Sequence, residues 1–161
     1  MAQKWKLRRA RKSDSEQFLQ LVKSLADFER LNPPTAEAGR RMVRDVFVRK
    51  RVSLFVAESE HRLIGYALYF YTYSSFLAKP TLYLEDLFVL QEKRKGGIGK
   101  ALFLRCVNEA ARRGCGRMEW SVLNWNTKAI GFYEVLGARR LKEWSTFRLD
   151  ERALGKLVDA A

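Results

Sequence analysis

The chain has 161 residues, the usual size of one folded domain, and its 47% share of hydrophobic residues excludes a disordered chain despite 30% charged residues. No apolar stretch is long enough to cross a bilayer and the first residues lack the apolar run of a signal peptide, so we expect a cytoplasmic protein. The net charge of +13 favours phosphate-bearing ligands, nucleic acid or acidic protein surfaces, although the scattered lysines and arginines favour a solvated basic surface over a dedicated nucleic-acid site.

The first part of the chain is predicted to form a strand followed by two helices. Residues 4–9 make the predicted first strand, and the Ser-x-x-Glu spacing from Ser13 to Glu16 is typical of a helix capping box. Apolar residues at intervals of three and four continue this helix to about Arg30. Thr35 can cap the second helix, because its hydroxyl can accept a hydrogen bond from the first turn.

The remainder predicts a hairpin, a third strand, and then alternating helices and strands. β-Branched and aromatic residues mark the hairpin strands at 52–58 and 63–73. The later elements are a strand at 81–90, a helix at 99–113, a strand at 118–123, a helix at 126–136 and a late strand at 146–149 before a short tail helix. The order β-α-α-β-β-β-α-β-α-β describes one α/β domain over residues 1–161, with a mixed central β-sheet flanked by helices.

A glycine-rich basic turn lies between the predicted strand at 81–90 and the predicted helix at 99–113. Its sequence is Arg94-Lys95-Gly96-Gly97-Ile98-Gly99-Lys100. Glycine lets the backbone approach a ligand closely, and the free amides at a helix start attract an anion. A glycine-containing turn with a solvated basic flank is the alternative. The spacing fits neither a Walker loop, which needs glycine at position 94, nor a dinucleotide fingerprint, which needs glycine at position 102.

Two segments of the chain resemble the Gcn5-related N-acetyltransferase (GNAT) superfamily. The pattern Arg94-x-x-Gly97-x-Gly99 resembles its acetyl-coenzyme A signature and lies between the strand and helix that the family requires. Residues 124–138 resemble its Asn-x-x-Ala-x-x-x-Tyr-x-x-x-Gly segment, in the same order and separation. The resemblance implies the GNAT fold and an N-acetyltransferase that uses acetyl-coenzyme A as cosubstrate, without a metal.

A narrower resemblance is to the spermidine/spermine and thialysine N-acetyltransferase branch. The corresponding strand of that branch carries Tyr-Leu-Glu-Asp, and this chain has Tyr83-Leu84-Glu85-Asp86. The branch implies acetyl transfer to a primary amine of a small diamine, polyamine or lysine-like acceptor, by direct attack on the thioester, and a homodimer. The chain departs from polyamine enzymes at 30–34 and in its basic net charge, where they are more acidic.

The resemblance also implies roles for single residues. Glu85 would draw a proton from the substrate ammonium after burial raises its pKa, and Tyr133 would donate its phenolic hydrogen to the departing thiolate. Asp86, next along the strand, is expected to point to the opposite face and to be structural. The implied coenzyme-binding residues are Leu87, Phe88, Val89, Arg94, Lys95, Gly96, Gly97, Ile98, Gly99, Lys100, Asn126 and Ala129. The implied acceptor-binding residues are Phe28, Glu29, Glu85, Glu119 and Trp120.

Other interpretations remain open at this point. The alternative interpretation of Glu85 is an exposed sheet-edge glutamate, and the residue pattern without the resemblance favours a core tyrosine at position 133. A protein lysine or N-terminal acetyltransferase is the closest alternative function, since a basic enzyme approaches acidic proteins readily. A silent acetyl-coenzyme A sensor or nucleic-acid-binding protein is a further alternative, although acetyl transfer requires no nucleic acid. Cys106 and Cys115 lack metal-ligand spacing and are interpreted as packing residues, so no metal site is predicted.

Overall fold

A computed structural model describes residues 5–160, so Lys4, where the first predicted strand begins, lies outside the described residues. Backbone contacts divide the chain into two compact units, one ending at Ser121 and the other beginning at Val122. The single domain over residues 1–161 therefore stays a prediction. None of the helices in the described part is long and apolar enough to cross a membrane.

The first unit combines a five-stranded mixed sheet with helices. Its strands are β1 (Lys6–Arg9), β2 (Ser53–Ser59), β3 (Arg62–Ser74), β4 (Lys79–Val89) and β5 (Arg117–Glu119), and its helices are α1 (Ser15–Glu29), α2 (Ala36–Phe47) and α3 (Ile98–Arg112). Strands β1 to β4 are antiparallel neighbours in chain order, and β5 runs parallel to β4. The predicted α/β class and mixed sheet are confirmed.

Strand β5 accompanies β4 over only three residues. Thr81–Tyr83 of β4 face Arg117–Glu119 of β5. In the strand pairing of the described residues, β4 has only β3 beside it from residue 84 to residue 89. The predicted strand at 118–123 is therefore shorter than expected. The open edge of β4 leaves backbone groups that an extended ligand can use.

The sheet is covered on both faces by helices. Leu54 and Val56 belong to the apolar cluster around Phe18 of α1, whose ring packs edge to face on Tyr66 at 5.2 Å. Phe55, between them on β2, lies under Arg105 of α3. Because successive strand side chains point to opposite faces, α1 and α3 cover opposite sides of the sheet.

Helix α1 begins without the predicted capping box that starts at Ser13. Lys12–Asp14 form a 3-10 turn, and the Asp14 carboxylate accepts a hydrogen bond from the Arg11 amide at 2.7 Å. The Arg8 guanidinium donates two more, at 2.7 and 2.9 Å, and holds the pKa of Asp14 below its usual value. The Asp14 carboxylate is thus occupied by the Arg8 and Arg11 donors, and no side chain accepts a hydrogen bond from the first amides of α1. By contrast, Thr35 caps α2 as predicted, accepting from the Ala38 amide at 3.2 Å.

The second unit contains α4 (Thr127–Val135) and α5 (Glu151–Asp159). The late strand predicted at 146–149 is wrong, since these residues form no strand in the described structure. Trp144 and Phe147 in this region are 73% and 92% exposed. A strand needs a neighbouring edge for its backbone hydrogen bonds, and the sheet pairing of the described residues supplies none here. The observed order therefore lacks the strand predicted between α4 and the tail helix, and the predicted tail helix is α5.

Candidate active site

The predicted coenzyme turn between β4 and α3 depends on one of its three glycines. Gly97 has a φ of 77°, in the left-handed region that strains any other residue. A Cβ built at Gly97 would have no neighbour within 4 Å, so the space beside this backbone is open. Gly96 and Gly99 have no such requirement, because a Cβ would make only ordinary contacts there, at 3.7 and 3.8 Å.

Helix α3 begins at this turn with amides that precede its hydrogen-bond ladder. The Ala101 amide donates to the Gly97 carbonyl at 3.0 Å, and no side chain caps the helix start. The N–H groups of residues 98–100 therefore have no helical carbonyl before them. Free amides and the positive end of the helix dipole suit an anion, and Arg94 and Lys95 add positive charge. The turn thus fits the pyrophosphate of a coenzyme.

The Arg94 side chain links this turn to the end of α1. Its Nε donates to the Val89 carbonyl at 3.0 Å, and its guanidinium carbon lies 4.6 Å from the Phe28 ring centroid and 5.7 Å from that of Phe88. Arg94, Val89 and Phe88 were predicted to bind the coenzyme, and Phe28 to bind the acceptor. The structure therefore brings the two groups of predicted residues together within the first unit.

A β-bulge in β4 gives the adjacent carboxylates of Glu85 and Asp86 different surroundings. Leu68 of β3 faces Asp86, and Tyr69 faces Leu84, which leaves Glu85 as the extra residue. A bulge re-aims side chains and breaks the simple alternation of a strand. Glu85 is exposed, so the expectation that it is buried is wrong. Its neighbour Asp86 is instead partly buried.

Asp86 shares an acidic cluster with two of the predicted site residues. Its carboxylate accepts a hydrogen bond from the Tyr66 hydroxyl at 3.0 Å. Burial raises the pKa of Asp86 to about 6, and the charges of Glu85 and Glu29 act in the same direction. Burial also raises the pKa of Glu29. The alternation of side chains along the strand predicted that Asp86 is a structural residue. In the structure, Asp86 instead belongs to a group of three carboxylates, Glu29, Glu85 and Asp86, called the acidic cluster below.

The two remaining predicted acceptor residues have partners of their own. Glu119 at the end of β5 forms an ion pair with Arg117 at 2.9 Å, and its neighbour Trp120 packs edge to face on Phe103 at 5.2 Å. The structure shows no such link between Glu119 and the acidic cluster, within the described residues. The parts of Glu119 and Trp120 in acceptor binding stay predictions.

Asn126, Ala129 and Tyr133 lie in the second unit. The Asn126 Oδ1 accepts a hydrogen bond from the Ala129 amide at 3.2 Å, so the Asn-x-x-Ala spacing is that of an N-cap and the third residue of α4. Tyr133 is half-buried on the next turn of α4, and its ring lies 5.1 Å from that of Phe132. The parts of these residues in coenzyme binding and proton donation stay predictions.

The cysteines show no sign of reactive chemistry. Cys106 is fully buried in α3, and burial raises the pKa of its thiol to about 12. Burial also raises the pKa of Cys115. Among residues 5–160, no three His, Cys, Asp or Glu side chains gather where they could hold a metal ion.

Comparisons with known proteins place this geometry in a family. A model of the acetyltransferase (GNAT) family matches residues 18–138. A thialysine N-epsilon-acetyltransferase from Mus musculus is 30% identical over 165 residues, covering 95% of this chain and 96% of that protein. An L-ornithine N5-acetyltransferase from Arabidopsis thaliana is 46% identical over 90 residues, covering 56% of this chain and 40% of that protein. The chain belongs to the GNAT acetyltransferase family, whose members use acetyl-coenzyme A.

Further matches support the same family and fold. A human spermidine/spermine N(1)-acetyltransferase-like protein 1 is 30% identical over 161 residues, covering 93% of this chain and 23% of that protein. The crystal structure of a probable acetyltransferase matches with a TM-score of 0.79 and 22% identity, over 90% of this chain and 97% of that one. An integron cassette protein of V. cholerae matches with a TM-score of 0.81 and 20% identity, over 98% and 99%. The predicted GNAT fold is confirmed.

Proposed function

We propose that this enzyme transfers the acetyl group of acetyl-coenzyme A to the primary amine of a small cationic acceptor, such as a short diamine or a lysine-like amino acid. The observation that carries the proposal is the acidic cluster of Glu29, Glu85 and Asp86 in a chain of net charge +13. Neighbouring carboxylates attract an ammonium group at contact range, where salt screens little. The relatives named for thialysine and ornithine are named for amines of this kind.

The acidic cluster also suits the first step of the reaction. An ammonium group must lose a proton before its nitrogen can attack a thioester. Asp86, with a pKa of about 6, can accept a proton near neutral pH. The exposed Glu85 beside it would pass that proton to solvent, through water. The nitrogen–carbon bond then forms, the carbon–sulfur bond breaks, and Tyr133 would give its phenolic proton to the thiolate, as the family resemblance implies. The nitrogen loses its second proton as the amide forms, and that proton would restore the Tyr133 phenol through water.

The coenzyme would be held by backbone groups more than by side chains. The amides of residues 98–100 would bind its pyrophosphate, with charge from Arg94, Lys95 and Lys100. The backbone of residues 87–89 would pair with the pantetheine arm as a missing strand, because this edge of β4 is open. Asn126 and Ala129 would also bind the coenzyme, as the family resemblance implies.

The proposed assembly is a homodimer of this chain. Apolar residues of the second unit are exposed over residues 144–158, among them Trp144, Phe147 and Val158. Polar and apolar residues alternate over residues 146–149, as in a strand, but these residues pair with no strand in the described structure. A second copy of the chain can supply a strand for them to pair with. Analytical ultracentrifugation is expected to give a dimer mass, and a monomer mass at micromolar concentration contradicts this assembly.

The test of the function identifies the acetylated product. The enzyme is incubated with acetyl-coenzyme A and, separately, propanediamine, thialysine, spermidine, spermine and an acidic protein rich in lysine, without nucleic acid. Thiol release and product mass are measured. We expect acetylated propanediamine or thialysine. If no free amine reacts while the acidic protein gains acetyl groups, the enzyme is a protein acetyltransferase. If no acceptor is acetylated although the coenzyme binds, the protein is a silent sensor.

A further inference from the structure

Arginines that are distant in sequence gather beside the second half of α3. Arg9 comes from β1, Arg105 and Arg112 from α3, and Arg113 follows that helix. A cavity of about 340 Å³ is lined by Arg9, Arg105, Asn108, Glu109 and Arg112. The sequence therefore scatters positive charge that the fold concentrates, and these residues are called the arginine cluster below.

One buried carboxylate organises the arginine cluster. Glu109 accepts a two-pronged hydrogen bond from Arg112, at 2.7 and 3.1 Å. Arg9 at 3.1 Å, Arg113 at 3.4 Å and the Tyr71 hydroxyl at 3.3 Å contact the same carboxylate. The Glu109 side chain is only 7% exposed. Its hydrogen bond from Arg112, foremost, lowers its pKa to about 2, so Glu109 stays ionised at neutral pH.

Donors outnumber acceptors in this cluster. A carboxylate offers about four lone-pair positions, and a guanidinium carries about five N–H donors. Among the described residues, Arg9, Arg112 and Arg113 form ion pairs with Glu109 alone, and Arg105 forms none. One negative charge thus faces four positive charges, and N–H groups remain for which the protein supplies no carboxylate. A ligand rich in acceptor oxygens would complement this arrangement.

Two of the arginines are held in place by an aromatic ring. The guanidinium carbons of Arg9 and Arg105 lie 5.0 and 5.2 Å from the ring centroid of Phe55, which is fully buried. Phe55 stacks on Tyr69 at 5.2 Å, and Arg9 also donates to the Tyr69 hydroxyl at 3.3 Å. Such contacts restrict long side chains before a ligand arrives, so less conformational entropy is lost on binding.

The arginine cluster is separate from the coenzyme turn. Arg105 and Arg112 follow Ile98, the first residue of α3, by seven and fourteen positions. At about 1.5 Å per residue, they lie roughly 10 and 20 Å along the helix axis from the turn. A pyrophosphate at the start of α3 therefore leaves the cluster unoccupied.

We propose that the arginine cluster is a second anion site, which binds a compact ligand carrying two linked phosphate groups. Planar guanidinium groups bind phosphate oxygens in pairs, and arginine is the side chain best suited to that geometry. The cavity volume of about 340 Å³ is near the lower end of small-ligand sites, which favours a compact ligand. The same phosphate chemistry in an RNA backbone is the other source, which the test separates.

The test is an amide-resolved NMR titration of the isotope-labelled protein with inorganic pyrophosphate. We expect shifts in two groups of amides, residues 96–100 and residues 105–113. Arg105→Gln is expected to weaken binding at the second group about tenfold and to leave the first unchanged. The matched control Arg44→Gln removes an exposed arginine from α2 and is expected to change neither affinity more than about twofold. Glu109→Gln removes the internal negative charge and is expected to strengthen binding at the second group.

Each other outcome has a defined meaning. If pyrophosphate shifts only residues 96–100, or if Arg105→Gln and Arg44→Gln weaken binding equally, the second site is wrong. If a single-stranded RNA shifts residues 105–113 at lower concentration than pyrophosphate, the compact ligand is wrong and the cluster serves nucleic acid. Shifts in residues 105–113 alone overturn the coenzyme turn but support the arginine cluster. Should Glu109→Gln fail to fold, the comparison of Arg105→Gln with Arg44→Gln still decides whether the arginine cluster binds pyrophosphate.

Discussion

Asp86 and Glu85 are adjacent acids with different surroundings. Burial raises the pKa of Asp86 to about 6, whereas Glu85 is exposed on the bulge. A group that titrates near neutral pH is well matched to proton transfer at that pH. We therefore assign proton acceptance to the pair, with Asp86 as the member whose charge changes near neutral pH. The family resemblance pointed to Glu85 alone.

Acceptor binding should depend on the ionisation of Asp86. As pH rises through about 6, Asp86 becomes charged, so the KM for propanediamine is expected to fall over that range. Asp86→Asn should remove this pH step and raise KM about tenfold at pH 8. Tyr66→Phe is the matched control, because it keeps the carboxylate and deletes the hydrogen bond that lowers its pKa, so the step should move to higher pH. An unchanged step in Asp86→Asn would show that another group titrates.

The same pKa shift makes a prediction about stability. Because the folded state raises the pKa of Asp86 to about 6, folding favours its protonated form. Its contribution to the free energy of unfolding is present below its unfolded pKa and is lost as pH rises through about 6. Asp86→Asn, which cannot ionise, should therefore raise the thermal midpoint at pH 7 more than at pH 4. Equal changes at both pH values would contradict the raised pKa.

Tyr133 is expected to act on turnover and not on coenzyme binding. Tyr133→Phe keeps the ring and removes the hydrogen donor, so kcat should fall by about 10² while the Kd of acetyl-coenzyme A changes less than about twofold. The pH profile should change on its basic side. Measurements of kcat and of coenzyme binding by calorimetry test this. Wild-type turnover, with chemistry shown to limit the rate, removes Tyr133 from the mechanism.

Most helices and strands were predictable because their signals are local. Helical spacing located α1, α2 and α3, and the cap at Thr35 follows from residue type. The late strand at 146–149 failed because its formation depends on a partner edge, which residue type does not reveal. The bulge at Glu85 could not be predicted for a similar reason, because it is defined by the register between β4 and β3. The sequence therefore predicted Glu29 and Glu85 as site residues but not Asp86, the third member of the acidic cluster.

The coenzyme turn allows a test that separates backbone strain from ligand contact. Gly97→Val places a side chain in the open space beside the turn and is expected to weaken acetyl-coenzyme A binding at least about tenfold. Gly114→Val is the matched control, since Gly114 also has a positive φ, of 66°, and no neighbour within 4 Å, but lies beyond the other end of α3. Both variants should lose similar stability, of about 1–2 kcal/mol. Equal coenzyme affinity in both variants, by calorimetry, would overturn the turn as the binding site.

The whole chain is strongly basic, yet the fold sorts its charges into regions of opposite sign. Glu29, Glu85 and Asp86 form the acidic cluster, and the arginine cluster surrounds Glu109. The sequence shows the total of +13 but not this sorting, because Arg9 and Arg105 meet only in three dimensions. A net charge therefore predicts long-range attraction or repulsion, while the local cluster decides which charge meets a bound ligand.

The most direct test of this account compares the specificity constants, kcat/KM, for propanediamine and spermine at low and moderate salt. A short diamine places its charge at the acidic cluster, whereas the outer charges of spermine remain near a molecule of net charge +13. Salt screens that repulsion over about 8–10 Å at ordinary ionic strength but screens a partly buried ion pair much less. We predict that propanediamine is preferred at low salt and that the difference narrows as salt rises. A preference for spermine at low salt would contradict the account.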